Sequence, residues 1–114
     1  MRKRFLYGAV FLLAHTNAFA ADSVEQDVEY LLSEISASNC TFIRNGSRYS
    51  ADEAVEHMRL KYEYAKDDIE TVDDFIKKIG SRSSFSGRAY KVECPDEEVT
   101  ETGLWLRNIW AARR

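Results

Sequence analysis

Cys40 and Cys94 are the only cysteines in this 114-residue chain, and joining them would close a loop of about 55 residues through the middle of it. A cross-link of that span removes roughly 4 kcal/mol of conformational freedom from the unfolded chain, by chain-entropy arguments that usually overestimate. In a small domain that is a large share of the net stability. An even cysteine count in an exported protein reads as a disulfide. The competing use as a metal or redox pair lacks CxxC spacing and a histidine close by in sequence.

The N-terminus is where export is read. Arg2, Lys3 and Arg4 form a positive start, Phe5 to Ala14 is an apolar run, and Ala18-Phe19-Ala20 offers the small residues of a cleavage site. This pattern is a signal peptide over residues 1–20, too short and wrongly flanked to span a membrane. No cysteine follows the cut, so a lipid anchor there has no support. The expected mature unit is residues 21–114, one domain in an oxidising compartment. After the cut no apolar run reaches spanning length, so no stable membrane insertion is expected.

The signal carries three of the 16 basic residues and none of the 19 acidic ones, which leaves the mature unit at −6. That balance argues against nucleic acid or an anionic membrane as a partner. The charge is uneven. Residues 51–74 hold nine acids against three bases, and residues 80–94 hold Arg82, Arg88 and Lys91 against Glu93.

Periodicity gives the elements. Ser23 and Gln26 read as a capping box opening a helix whose stripe is Val24, Val28, Leu31, Leu32 and Ile35. It fades at Ser36 to Asn39. Cys40 to Arg44, Asn45-Gly46 and Ser47 to Ser50 read as a hairpin on a type I′ turn. Ser50 and Glu53 open a second helix with Ala51, Ala54, Val55, Met58, Tyr62, Ala65 and Ile69 inward. His57, Lys61 and Tyr64 lie along its flank, and Leu60 sits on the acidic side. Thr71 caps a short third helix that Gly80 is expected to end. Ala89 to Cys94 alternates as a half-buried strand closed by Pro95. Thr102 to Arg113 is a helix with Leu104, Trp105, Leu106, Ile109 and Trp110 over more than half its circumference, so it is either deeply docked or holds a face for a partner.

Antiparallel pairing of the first and third strands brings Cys40 to Cys94. The expectation is an α+β fold: a three-stranded antiparallel sheet in order 2-1-3, with about four helices packed largely on one face.

The ordered motifs Cys40-Thr41-Phe42-Ile43-Arg44-Asn45-Gly46 with Tyr49, Ala54 with His57-Met58 and Lys61-Tyr62, Ser81 with Ser83-Ser84 and Ser86-Gly87, Tyr90 with Val92 and Cys94-Pro95, and Trp105-Leu106 together resemble the YfeK-like family. These are small exported proteobacterial proteins built on a domain of unknown function. The resemblance covers nearly all of residues 24–110. It implies export and a single domain, and it assigns no activity. The polar positions show no clear departure from the pattern, and Met58 stands where Leu is also at home.

Three chemistries compete for the polar residues. A binding reading takes the loop Arg82, Ser83, Ser84, Ser86, Gly87 and Arg88, with His57, Lys61 and Arg44 nearby. Hydroxyls, backbone amides and arginines suit a carboxylate or phosphate. A hydrolase reading uses one of those serines as nucleophile with His57 or Lys61 as base. It has no GxSxG or SxxK motif behind it, and serines in a tight loop commonly serve the backbone. A metal reading needs His57 with Glu53, Glu56 and Glu63, on a helix face that solvent alone explains. No cofactor and no catalytic residue is assigned. Tyr49, Tyr62, Tyr90 and Trp105 read as core aromatics, and Leu60 and Trp110 as the better surface contacts. The combined expectation is a periplasmic binding module for an envelope protein or for an anionic cell-wall or peptide ligand.

Overall fold

The computed structural model describes residues 23–114. The signal segment, its cleavage site and the Ser23 side chain of the first capping box lie outside the described residues. Helix α1 is Ser23–Ala37, strand β1 is Thr41–Arg44, β2 is Ser47–Tyr49 and helix α2 is Ala51–Ala65. A 3₁₀ turn over Lys66–Asp68 leads to α3, Val72–Phe75, which runs on as a wider π turn over Ile76–Gly80. Strands β3, Lys91–Glu93, and β4, Thr100–Glu101, precede helix α4, Thr102–Ala112.

Local chemistry explains the boundaries. Asn45 and Gly46 both take positive φ, 51° and 83°, as the hairpin turn requires. The capping box at α2 is complete: the Ser50 hydroxyl accepts the Glu53 N–H at 3.2 Å, and the Ser50 N–H reaches the Glu53 carboxylate at 2.9 Å. The Thr71 hydroxyl accepts the Asp74 N–H at 3.1 Å.

The sheet is antiparallel and has four strands in order β2-β1-β3-β4. The expected 2-1-3 order is its core. The fourth strand is a correction: two residues are too few to show alternation in sequence, and it exists by pairing Val92 with Thr100 and Lys91 with Glu101. The regular part of the third strand is also shorter than expected, with Ala89 held instead in a bridge to Arg82. Cys40 and Cys94 flank the Thr41–Glu93 pair and are joined, their Cα atoms 4.2 Å apart.

Tyr49, Phe42, Val92 and Thr100 form one cross-strand row, and Phe42 and Val92 are buried beneath the helices. The core continues through Val28, Leu31, Leu32 and Ile35 of α1, Met58 and Tyr62 of α2, and Phe75, Ile76 and Ile79. Each fully buried side chain of this size contributes about 1.5–3 kcal/mol. Leu106 of α4 completes the core.

Gly80 does not end its helix through a left-handed conformation. It is buried in the last turn, and a Cβ there would stand 2.6 Å from Leu106 Cδ1, so its role is close approach between the π turn and α4. Helix α4 is docked rather than waiting. Trp105 packs edge-on to Phe42 with centroids 5.5 Å apart, and Trp110 packs edge-on to Tyr30 at 6.0 Å under the Arg113 guanidinium. Trp110 is therefore not a free contact surface. Leu104 alone of the α4 apolar set is exposed, and Leu60, Tyr64 and Phe85 are the most exposed large apolar side chains among the described residues, at 68, 96 and 98 %. Among the described residues no helix is long and apolar enough to cross a membrane.

Candidate functional site

The loop and the cationic residues read together from sequence separate in three dimensions. Ser83 is 5 % exposed, and its hydroxyl accepts the Phe85 and Ser86 N–H groups and the Asn45 side-chain amide, each at 3.2 Å. The Ser83 carbonyl accepts the Gly87 N–H at 2.9 Å, and the Ser86 hydroxyl accepts the Arg88 N–H at 3.2 Å while donating to the Asn45 side-chain oxygen Oδ1. The amides offered to an anion near Gly87 are thus spent inside the loop, which is laced to the hairpin turn. Ser84 is exposed at the tip. Ser83 and Ser86 serve backbone groups of the loop.

Lys61 does meet the loop, but at its base. From the inner flank of α2, its ammonium donates to the Ile79 carbonyl and the Arg82 carbonyl, both at 3.1 Å, and to the Tyr90 hydroxyl at 3.0 Å. All three of its donors are used. One cation thereby ties α2 to the π turn, to the loop entrance and to the residue before β3.

The Tyr90 hydroxyl accepts from Lys61 and lies 3.3 Å from His57 Nε2. With an ammonium donor on one side, the phenol proton is free to go to His57. That makes Nε2 the acceptor and places the ring proton on Nδ1, an assignment made from the network. Burial first, then the charges of Arg44 and Lys61, lower the His57 pKa, which agrees with a neutral ring. Burial, then Arg44, lowers Lys61 to about 8. Burial raises Tyr90, with Arg44 opposing.

The sign of the lysine effect follows from linkage. The folded value lies below the ordinary 10.5, so the buried charge costs stability below pH 8 and the cost is relieved between about 8 and 10.5. Carbon-detected NMR of the lysine side chains is expected to show Lys61 titrating near 8, with a midpoint near 10.5 contradicting the buried environment.

Arg44 ends β1 on the inner side of the sheet, where it stacks over the Tyr49 ring at 4.7 Å. It forms no ion pair with any described residue, although six such pairs occur elsewhere. Stacking fixes the plane of the guanidinium and leaves its fork of donors open. Arg44, Tyr49, His57 and Tyr90 line a cleft of about 260 Å³ between the hairpin and α2. Phe42, Ala54 and Met58 also line it, with Leu60, Glu53 and Glu56 along the helix side.

The expectation sets His57, Lys61 and Arg44 beside the 82–88 loop; in the structure Lys61 meets the base of that loop, while Arg44 and His57 line the cleft with Tyr49 and Tyr90, two residues expected only as core aromatics. Arg82 lines a different recess, with Lys77 and Arg107, and Arg88 is exposed. Neither arginine lines the Arg44 cleft. Among the described residues no three His, Cys, Asp or Glu side chains are grouped to hold a metal ion.

Residues 22–114 match a family described as a family of unknown function, DUF5329. The uncharacterized protein YfeK of Salmonella typhimurium is 32 % identical over 91 residues, which cover 77 % of this chain and 76 % of that protein. No solved structure matches the chain.

Proposed function

This chain belongs to the DUF5329 family, and from that premise we propose that it is a binding module whose site is the Arg44 cleft and whose ligand carries a carboxylate. The observation that supports this most is the arginine itself. Arg44 is held by an aromatic ring with its fork unoccupied, and it lines the cleft with the His57 imidazole and the Tyr90 phenol. A planar pair of donors matches a carboxylate bidentately. The apolar side chains beneath it suit the body of a small ligand, and a few polar groups in an apolar cleft are the usual form of a binding site.

Export belongs to the same proposal. Residues 1–20 act as a cleaved signal, and residues 21–114 work in the periplasm. The Cys40–Cys94 disulfide and the absence of a long apolar helix among the described residues fit an exported protein. The hydrolase alternative gains nothing from the geometry: the Ser83 hydroxyl accepts three N–H donors, the Ser86 hydroxyl donates to Asn45, and neither these two nor the exposed Ser84 hydrogen-bonds to His57 or Lys61.

The test is an NMR titration of the full chain with 4-methylpentanoate, a carboxylate with an apolar body. Shifts are expected at residues 42–44, 49, 53–58 and 90. They should vanish in Arg44→Gln and persist in Arg82→Gln. Shifts centred on 82–88 would contradict the assignment.

A further inference from the structure

The cleft has two walls of opposite charge. The hairpin wall carries Arg44, stacked on Tyr49. The α2 wall carries Glu53 and Glu56, which with His57 and Leu60 fall at i, i+3, i+4 and i+7 and so share one helical face. The Glu53 carboxylate is fixed by the capping box through one oxygen, which leaves lone pairs available. Glu56 makes no recorded ion pair or side-chain hydrogen bond among the described residues. Between the walls lie Phe42, Ala54 and Met58. Neither carboxylate closes onto Arg44, so the cleft keeps a cation and two anions apart across an apolar floor.

A purely anionic ligand would pair with Arg44 while bringing its charge toward two carboxylates, which is unfavourable. A ligand with both signs would satisfy both walls. We infer that the ligand is a short apolar peptide with free termini, its carboxylate on Arg44 and its ammonium on Glu56 and Glu53. This rests on the reading of the cleft as a carboxylate site. An α-amino acid carries both charges on one carbon, whereas a dipeptide sets them at the two ends of an apolar body, as two walls separated by Phe42, Ala54 and Met58 require. The volume, about 260 Å³, lies just under the ~300–1,000 Å³ of sites for larger molecules.

Three probes separate the possibilities in calorimetric titrations of the full chain: leucyl-leucine, N-acetyl-leucyl-leucine and leucyl-leucine amide. Leucyl-leucine is expected to bind about tenfold more tightly than the N-acetyl form, the worth of one charge-assisted contact of about 1.4 kcal/mol. The amide should bind at least as weakly as the N-acetyl form. Glu56 is exposed, so Glu56→Gln should fold normally, and it should erase most of the preference for the free amine while N-acetyl-leucyl-leucine still binds. Equal or tighter binding of the N-acetyl form to the unaltered protein would overturn the dipeptide assignment and leave the Arg44 carboxylate site standing. If no dipeptide binds and 4-methylpentanoate also leaves the cleft resonances unmoved, both readings fall.

Discussion

Removing the cross-link by the double substitution Cys40→Ala and Cys94→Ala is expected to lower the thermal midpoint by roughly 15–30 °C. The loop closed by the bond spans 54 positions, and its closure is worth about 4 kcal/mol in the unfolded chain. For a domain of this size each kcal/mol moves the midpoint by about 4–8 °C. The double variant is a cleaner comparison than a reductant, because it does not depend on access to a bond between the buried Cys40 and the half-buried Cys94. The bond also pins β1 to β3 at the end of their ladder opposite the cleft, so its loss should loosen the hairpin that carries Arg44. Calorimetry of both oxidised protein and double variant checks this, and midpoints within a few degrees of each other would contradict it.

Lys61→Met is expected to cost about 2–4 kcal/mol. The substitution keeps an apolar stem but removes the donor shared by the Ile79 carbonyl, the Arg82 carbonyl and the Tyr90 hydroxyl. Acceptors left unpaired in a half-buried site cost about 1–3 kcal/mol each, less where water can enter. Replacing a buried charge by an apolar group is often harmless when its charged partner leaves with it. Here the partners are neutral oxygens that remain. Tyr90→Phe should cost less, about 1 kcal/mol, since it removes one hydroxyl and spares both carbonyls. Denaturant unfolding measures both. A Lys61→Met protein as stable as the parent would show that the lysine is no staple.

Elements with a long repeat or a fixed turn were legible. Helix α2 announced itself through Ser50 and Glu53, and the hairpin through Asn45-Gly46. The disulfide followed from an even cysteine count, an expected export signal and the lack of CxxC spacing, and it pointed in turn to the pairing of β1 with β3. What escaped was short or depended on contact. Strand β4 is two residues long and owes its existence to β3. The role of Gly80 depends on Leu106, 26 positions away.

The candidate site shows the same division. Helical spacing puts His57 and Lys61 on one flank of α2, but nothing in the sequence says that the hairpin end carrying Arg44 lies across a cleft from that flank. Tyr90 looked like a core aromatic, and it is buried. Its hydroxyl became a hub only because Lys61 and His57, 29 and 33 positions away, meet it. The serine-rich loop misled for a physical reason. Ser, Gly and Arg are the composition of an anion cradle and equally of a loop that satisfies its own amides, and only the hydrogen-bond partners of Ser83 distinguish them.

The account centres on Arg44 as the carboxylate anchor, and the most direct measurement is the arginine Nε–Hε spectrum of the full chain during titration with leucyl-leucine. The expected result is a progressive shift and slowed exchange of the Arg44 resonance, with Arg82 and Arg88 unmoved. An unchanged Arg44 resonance at saturating ligand, or a response at Arg82 or Arg88 instead, would contradict it.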